Sequence, residues 1–171
     1  IDVCCSRVYS KIVNVAKDLV PVGKSIEQEY GIPIVNKKYG VPTNYAPGND
    51  PTAAAAVSQL ISDMNAQGYP ISYTTSGFRS YETQTGLYNS YVAANGQAAA
   101  DTFSARPGFS EHQTGLAFDL MDSSGALLTE ANACQWLMEN CARYGFIVRY
   151  QEGKEQITGY MAEPWHLRYI G

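Results

Sequence analysis

Only two histidines occur in this chain of 171 residues, and both sit beside carboxylates. His112 lies in Ser110-Glu-His-Gln-Thr-Gly-Leu-Ala-Phe-Asp119, and His166 in Glu163-Pro-Trp-His-Leu-Arg-Tyr169 near the other end. This pair constrains the fold more than any other feature. A lone histidine on a strand is more often a satisfied polar residue than a ligand, which explains each segment singly but not their pairing. Leu116-Ala-Phe-Asp-Leu-Met121 alternates as a strand, with Leu116, Phe118 and Leu120 on one face and Ala117, Asp119 and Met121 on the other. Asp119 is thereby carried back beside His112 across a turn containing Gly115.

Two histidines, an aspartate and a spare glutamate suffice for a hydrolytic zinc site. Catalytic zinc takes three protein ligands and keeps a position for water; His112, Asp119 and His166 are the candidates, with one zinc per chain. Two neutral imidazoles and one carboxylate leave the metal net positive, which lowers the pKa of water to about 7. Glu163 is the candidate general base. On a regular strand Glu163 and His166 point to opposite faces, so a turn at Pro164 is expected to let both converge. Arg79, in Ser76-Gly-Phe-Arg-Ser80 after an expected strand, is the candidate cation for a substrate carboxylate or an oxyanion, with Arg106 and Arg168 as rivals. A serine hydrolase using Ser110, His112 and Asp119 is the competing reading. It is disfavoured because Ser110 is not in a G-x-S-x-G elbow and lies only two residues from His112.

The net charge of -4 supplies no basic surface for phosphates, which disfavours nucleic-acid partners. No apolar run approaches the roughly 18 residues of a membrane span. Length and 45% hydrophobic content fit one domain over residues 1–171. The chain begins at Ile1 without a basic or apolar leader, so a signal or anchor is expected to be removed or absent. Cys134 and Cys141, seven apart on an expected helix, are separated by about 10 Å of rise, too far for a disulfide, which needs roughly 4.4–6.8 Å between Cα atoms. Bridges from Cys4 and Cys5 to that helix, and buried free thiols, both remain open.

Taken in order, residues 6–20 show helical spacing ended by Pro21, and 21–50 read as a wrapping loop with short extended pieces at best. Asp50-Pro51 caps a helix over 53–66 whose Val57, Leu60, Ile61 and Met64 share a face. A strand is expected at 71–75, a helix capped by Ser80 to about Asn95 with Leu87, Tyr88, Tyr91 and Val92 buried, and a short helix at 97–102. A helix over 129–144 and strands at 146–150 and 166–170 complete an α+β chain with a small antiparallel sheet surrounded by helices.

Ser110-x-His112-x-x-Gly115-x-Ala117-x-Asp119 together with Glu163-x-Trp165-His166 resembles the signature of the VanY-type zinc D-alanyl-D-alanine carboxypeptidases, related to D-Ala-D-Ala dipeptidases and LdcB-type L,D-carboxypeptidases. The likeness extends to Ser76-Gly-Phe-Arg-Ser-Tyr81, Ser104-Ala-Arg-Pro-Gly108 and Gly159 to Tyr169, and covers roughly 35–171. The resemblance implies His112, Asp119 and His166 as zinc ligands, Glu163 as catalytic base, Arg79 as the arginine steadying the transition state, and Ser110 and Gln84 as lining the substrate pocket. It also implies the small α+β fold of that peptidase group. The implied reaction is removal of the terminal D-alanine from peptidoglycan pentapeptide stems outside the cytoplasm, by a monomer, in ordinary wall trimming or in vancomycin resistance. The alternatives are L,D-cleavage of tetrapeptide stems and a non-catalytic wall-binding module. Relatives usually continue beyond the last motif into a terminal helix, so this chain, ending at Gly171, is expected to be trimmed or a short variant. Four cysteines are unusual for the group.

Overall fold

The computed structural model describes residues 26–171. The helix expected at 6–20, Cys4 and Cys5 lie outside them, and so does any bridge from either cysteine. The described chain opens with a tight hairpin, β1 (Gln28–Glu29) and β2 (Ile32–Pro33). Tyr30 and Gly31 turn it with positive φ at both positions, as a two-residue hairpin loop of this hand requires. The rest of the stretch up to Asp50 wraps the domain as expected, anchored by the fully buried Ile34, Val35 and Val41.

Helix α1 (Pro51–Ala66) begins where the sequence places it. The Asp50 carboxylate accepts from the Ala53 N–H at 2.9 Å, and Val57, Leu60, Ile61 and Met64 are buried. The helix of 129–144 forms as α4 (Ala131–Asn140) and then tightens into a 3₁₀ turn, Cys141–Tyr144. Between these two helices run α2 (Tyr81–Asn95), capped by Ser80 as expected, and α3 (Gln97–Phe103). A last short helix, α5 (Glu155–Thr158), precedes the final strand.

The sheet is antiparallel, in the order β3 (Ala117–Asp119), β5 (Glu163–Tyr169), β4 (Phe146–Tyr150). Its two faces differ in chemistry because strand side chains alternate. Phe118, Leu167, Phe146 and Val148 pack with α1 and α4 into the main core. Asp119, His166, Arg168 and Arg149 project from the other side and are buried there. That side carries the site.

Two sequence expectations are corrected. Residues 71–75 do not form a strand: isolated bridges at Ser76–Asp119 and Ile71–Asp122 pair its two ends with the end of β3 and with the residues just beyond it. Ile71 enters the core but Tyr73 is 70% exposed, so only one apolar anchor holds the segment and the ladder does not zip. In α2 only Tyr88 of the expected stripe is buried, because Leu87 and Tyr91 border an open cleft.

Gly115 fixes how the chain passes from His112 to Asp119. It ends a 3₁₀ turn, Glu111–Thr114, with φ of 74°, and its carbonyl accepts from the Asp50 N–H at 3.0 Å. A Cβ there would collide with the Gly48 carbonyl oxygen. Gly115→Ala therefore combines a left-handed conformation with a backbone clash, and is expected to cost about 2 kcal/mol or more, read as a lower midpoint in urea denaturation. Phe146→Ala, which empties a fully buried position between Phe118 and Tyr169, is expected to cost about 3–5 kcal/mol in the same measurement.

Candidate functional site

The register of β3 against β5 places Asp119 directly opposite His166. The 3₁₀ turn before β3 then brings His112 onto the same spot, with the two imidazoles 5.0 Å apart and nearly perpendicular. His112 Nε2 is 3.2 Å from Asp119 Oδ2, and His166 Nδ1 is 3.0 Å from Asp119 Oδ1. One ligand atom from each of His112, Asp119 and His166 falls within 4.8 Å of the others. His112 Nδ1 lies 2.7 Å from the Gly77 carbonyl oxygen. A carbonyl only accepts, so Nδ1 carries the proton and the Nε2 lone pair faces Asp119.

The donor set fits a divalent cation. Asp119 Oδ1 is buried with no hydrogen-bond partner among the described residues, since the close His166 contact is not directed as a hydrogen bond. Burial pushes the Asp119 carboxyl up, but the adjoining His112 and His166 imidazoles outweigh it and hold it below the usual carboxylate range. Burial lowers His166, yet the neighbouring Asp119 and Glu111 carboxylates prevail and raise it to about 10.

Glu163 sits 3.6 Å from His166 Nδ1. The expected turn at Pro164 is absent, because β5 runs through Glu163–Tyr169 as a strand. Convergence comes instead from a register shift against β4: Val148 faces Leu167 while Tyr150 faces Glu163, so β5 uses four steps where β4 uses two. That irregularity breaks the strict alternation that would have put Glu163 on the wrong side. Burial raises the Glu163 carboxyl to about 7, with Asp119 and Glu111 also raising it while His166 opposes them. A cation beside it would draw that value down.

Arg79 reaches the same cleft. Its Nη2 is 3.9 Å from Asp119 Oδ2 and donates to Ser76 Oγ at 3.2 Å, while Nη1 donates to Gln84 Oε1 at 2.8 Å. Gln84 is fixed in turn by donating to the Ala105 carbonyl at 2.6 Å. The rivals are committed elsewhere: Arg106 forms a two-bond pair with Asp101, and Arg168 is fully buried against Glu111. Ser110 is buried at the wall of the cleft. Both His112 nitrogens are oriented toward Gly77 and Asp119, which leaves Ser110 no base and removes the serine-hydrolase arrangement. Cys141 is buried, its thiol pushed up to about 11, and Cys134 is half-buried; neither lines the cleft.

The cleft has a volume of about 480 Å³ and runs past Leu87, Tyr91, Phe103 and Met161. Two neighbours of the site escaped sequence reasoning. Glu111 touches His166, and the Tyr150 ring lies tilted against that imidazole with centroids 4.8 Å apart. Glu111 stood in plain view between Ser110 and His112, but a glutamate in a turn is ordinarily solvated.

Residues 48–171 match the family described as VanY: D-alanyl-D-alanine carboxypeptidase. A D-alanyl-D-alanine carboxypeptidase of Enterococcus faecalis is 36% identical over 85% of this chain and 60% of its own length. The chain spans about 60% of the length of two curated relatives it matches and less of others. Among solved structures, the L,D-carboxypeptidase DacB from Streptococcus pneumoniae is 55% identical, covering 90% of this chain and 85% of that one with a TM-score of 0.81. The vancomycin-resistance D,D-pentapeptidase VanY, solved as an E175A mutant with Zn(II), is 34% identical, covering 80% of this chain and 86% of that one with a TM-score of 0.67.

Asp119→Ala is expected to abolish stoichiometric zinc uptake by the dialysed protein, whereas Glu163→Ala is expected to retain it. Metal analysis by plasma mass spectrometry checks both.

Proposed function

Because the chain belongs to the VanY D-alanyl-D-alanine carboxypeptidase family, we propose that it is a zinc-dependent carboxypeptidase that releases C-terminal D-alanine from peptidoglycan stem peptides. The observation carrying this reading is the convergence of His112, Asp119, His166, Glu163 and Arg79 on one cleft. His112 through Nε2, Asp119, and His166 through Nδ1 would hold the metal. The chemistry zinc supplies when bound is polarisation of the scissile carbonyl and acidification of a water molecule. Glu163 takes the proton from the attacking water and returns it to the leaving amine. Its place beside His166 and its low exposure suit a group that passes a proton between two steps. Arg79 is held by Ser76 and Gln84 with its guanidinium over the site, where it balances the substrate's terminal carboxylate or the charge growing on the carbonyl oxygen. Ser110 and Gln84 shape the wall beside it.

For the bond cleaved, the resemblance to the VanY type implies D,D-cleavage of pentapeptides. The greater identity to L,D-carboxypeptidases, 53% and 55% against 34% for VanY, favours L,D-cleavage of a tetrapeptide stem. D,D-cleavage is the second reading, supported by the Enterococcus faecalis relative. Peptidoglycan stem peptides lie outside the cytoplasmic membrane, so this reading includes an extracytoplasmic site of action.

Release of D-alanine by zinc-loaded protein is expected from a tetrapeptide ending in one D-alanine after an L-centre, and is expected to stop with a chelator. Release from a pentapeptide ending D-Ala-D-Ala alone would reverse the assignment. Silence on both, with zinc bound, would leave a wall-binding module. Arg79→Ala is expected to lower kcat/KM by about 10²–10³ with zinc content unchanged, in the same assay.

A further inference from the structure

Behind His166 lies a charge cluster that none of these roles uses. The Glu111 side chain is 0% exposed, as are those of Arg149 and Arg168. Glu111 Oε1 accepts from Arg149 Nε at 2.8 Å and from Arg168 Nη1 at 3.3 Å. Arg168 is itself pinned to the backbone, donating from Nη2 to the Pro33 carbonyl at 2.6 Å and from Nε to the Tyr169 carbonyl at 3.1 Å. With Oε1 taken, Glu111 Oε2 faces His166 Nε2 at 3.1 Å.

We infer that Glu111 is a positioning residue for the metal centre, holding His166 in the one tautomer and ring orientation that turn its Nδ1 lone pair toward Asp119. This rests on the zinc reading of the site. The argument is a matter of donors and acceptors. A carboxylate engaged by two guanidinium groups can only accept, so Nε2 must carry the proton, and a neutral His166 has its lone pair on Nδ1. That nitrogen is the one 3.0 Å from Asp119 Oδ1 and 3.6 Å from Glu163. His112 needs the opposite tautomer, with Nε2 facing Asp119, and obtains it from a backbone acceptor, the Gly77 carbonyl. The two histidines are thus set in opposite senses by two different acceptors, of which only Glu111 is a side chain. Carboxylate partners of this kind orient ligating histidines, and their loss typically costs ten- to hundredfold in metal affinity.

A purely structural Glu111, present only to neutralise Arg149 and Arg168, makes a different prediction, and two readouts separate the cases. Zinc affinity is measured by competition with a chromophoric chelator, and histidine tautomers by ¹⁵N-resolved NMR of the zinc-loaded protein. Glu111→Gln preserves shape but offers an amide that donates as readily as it accepts. It is expected to bind zinc about ten- to hundredfold more weakly and to lose the wild-type pattern of a protonated Nε2 and ligated Nδ1 at His166, while His112 keeps its own. If that variant does not fold, Glu111→Gln with Arg168→Met removes one charge of each sign, and the same outcomes are expected. A folded variant with unchanged zinc affinity and an unchanged His166 tautomer overturns the positioning role alone. Failure of the wild-type protein to bind zinc overturns the functional reading and this inference together.

Discussion

The pairing of Asp119 with His166 across β3 and β5 is the contact on which the rest of the site depends. It joins two motifs remote in sequence through backbone hydrogen bonds, and its register is set by the apolar face of the same strands. Phe118 and Leu167, one step along, must lie in the core beneath α1 and α4. A slip of one residue would expose both and bury the polar partners in their place. The hydrophobic core therefore enforces the geometry of the polar face, although none of its side chains belongs to the site.

That polar face is costly to bury. Asp119, Glu111, His166, Arg149 and Arg168 are all withdrawn from water, and an unpaired charge among them would be strongly destabilising. The structure meets the cost by pairing: Glu111 with two guanidinium groups and an imidazole, Asp119 with two imidazoles. The cleft is thus closed on its sheet side by paired charges, and its opposite wall is made by α2 and α3 with half-buried aromatic and aliphatic side chains. The buried acids and imidazoles of the site are held by the sheet and the turn before it, while the facing wall is built from helices.

Much of this was legible in the chain. The helix at 51–66 could be read because Asp50-Pro51 is a strong start signal and its apolar spacing is regular. The strand at 146–150 could be read because it is short and bounded by Gly145. The segment at 71–75 misled because alternation also suits a chain that only touches a sheet edge at two points. Leu87 and Tyr91 misled because a stripe facing a cleft has the same periodicity as one facing a core.

By itself the sequence determined the donor set and its order: two histidines with flanking carboxylates, an arginine ahead of a capped helix, and a glycine where a left-handed turn is required. These follow from residue type and local spacing, which a sequence carries in full. Only the tertiary structure decided how Glu163 joins His166, through a register shift with β4 in place of a turn at Pro164, and that Glu111 is a buried partner and not a solvated surface acid. Both depend on which strands pair and what covers them. Those are contacts between distant segments, and no local pattern of residues encodes them.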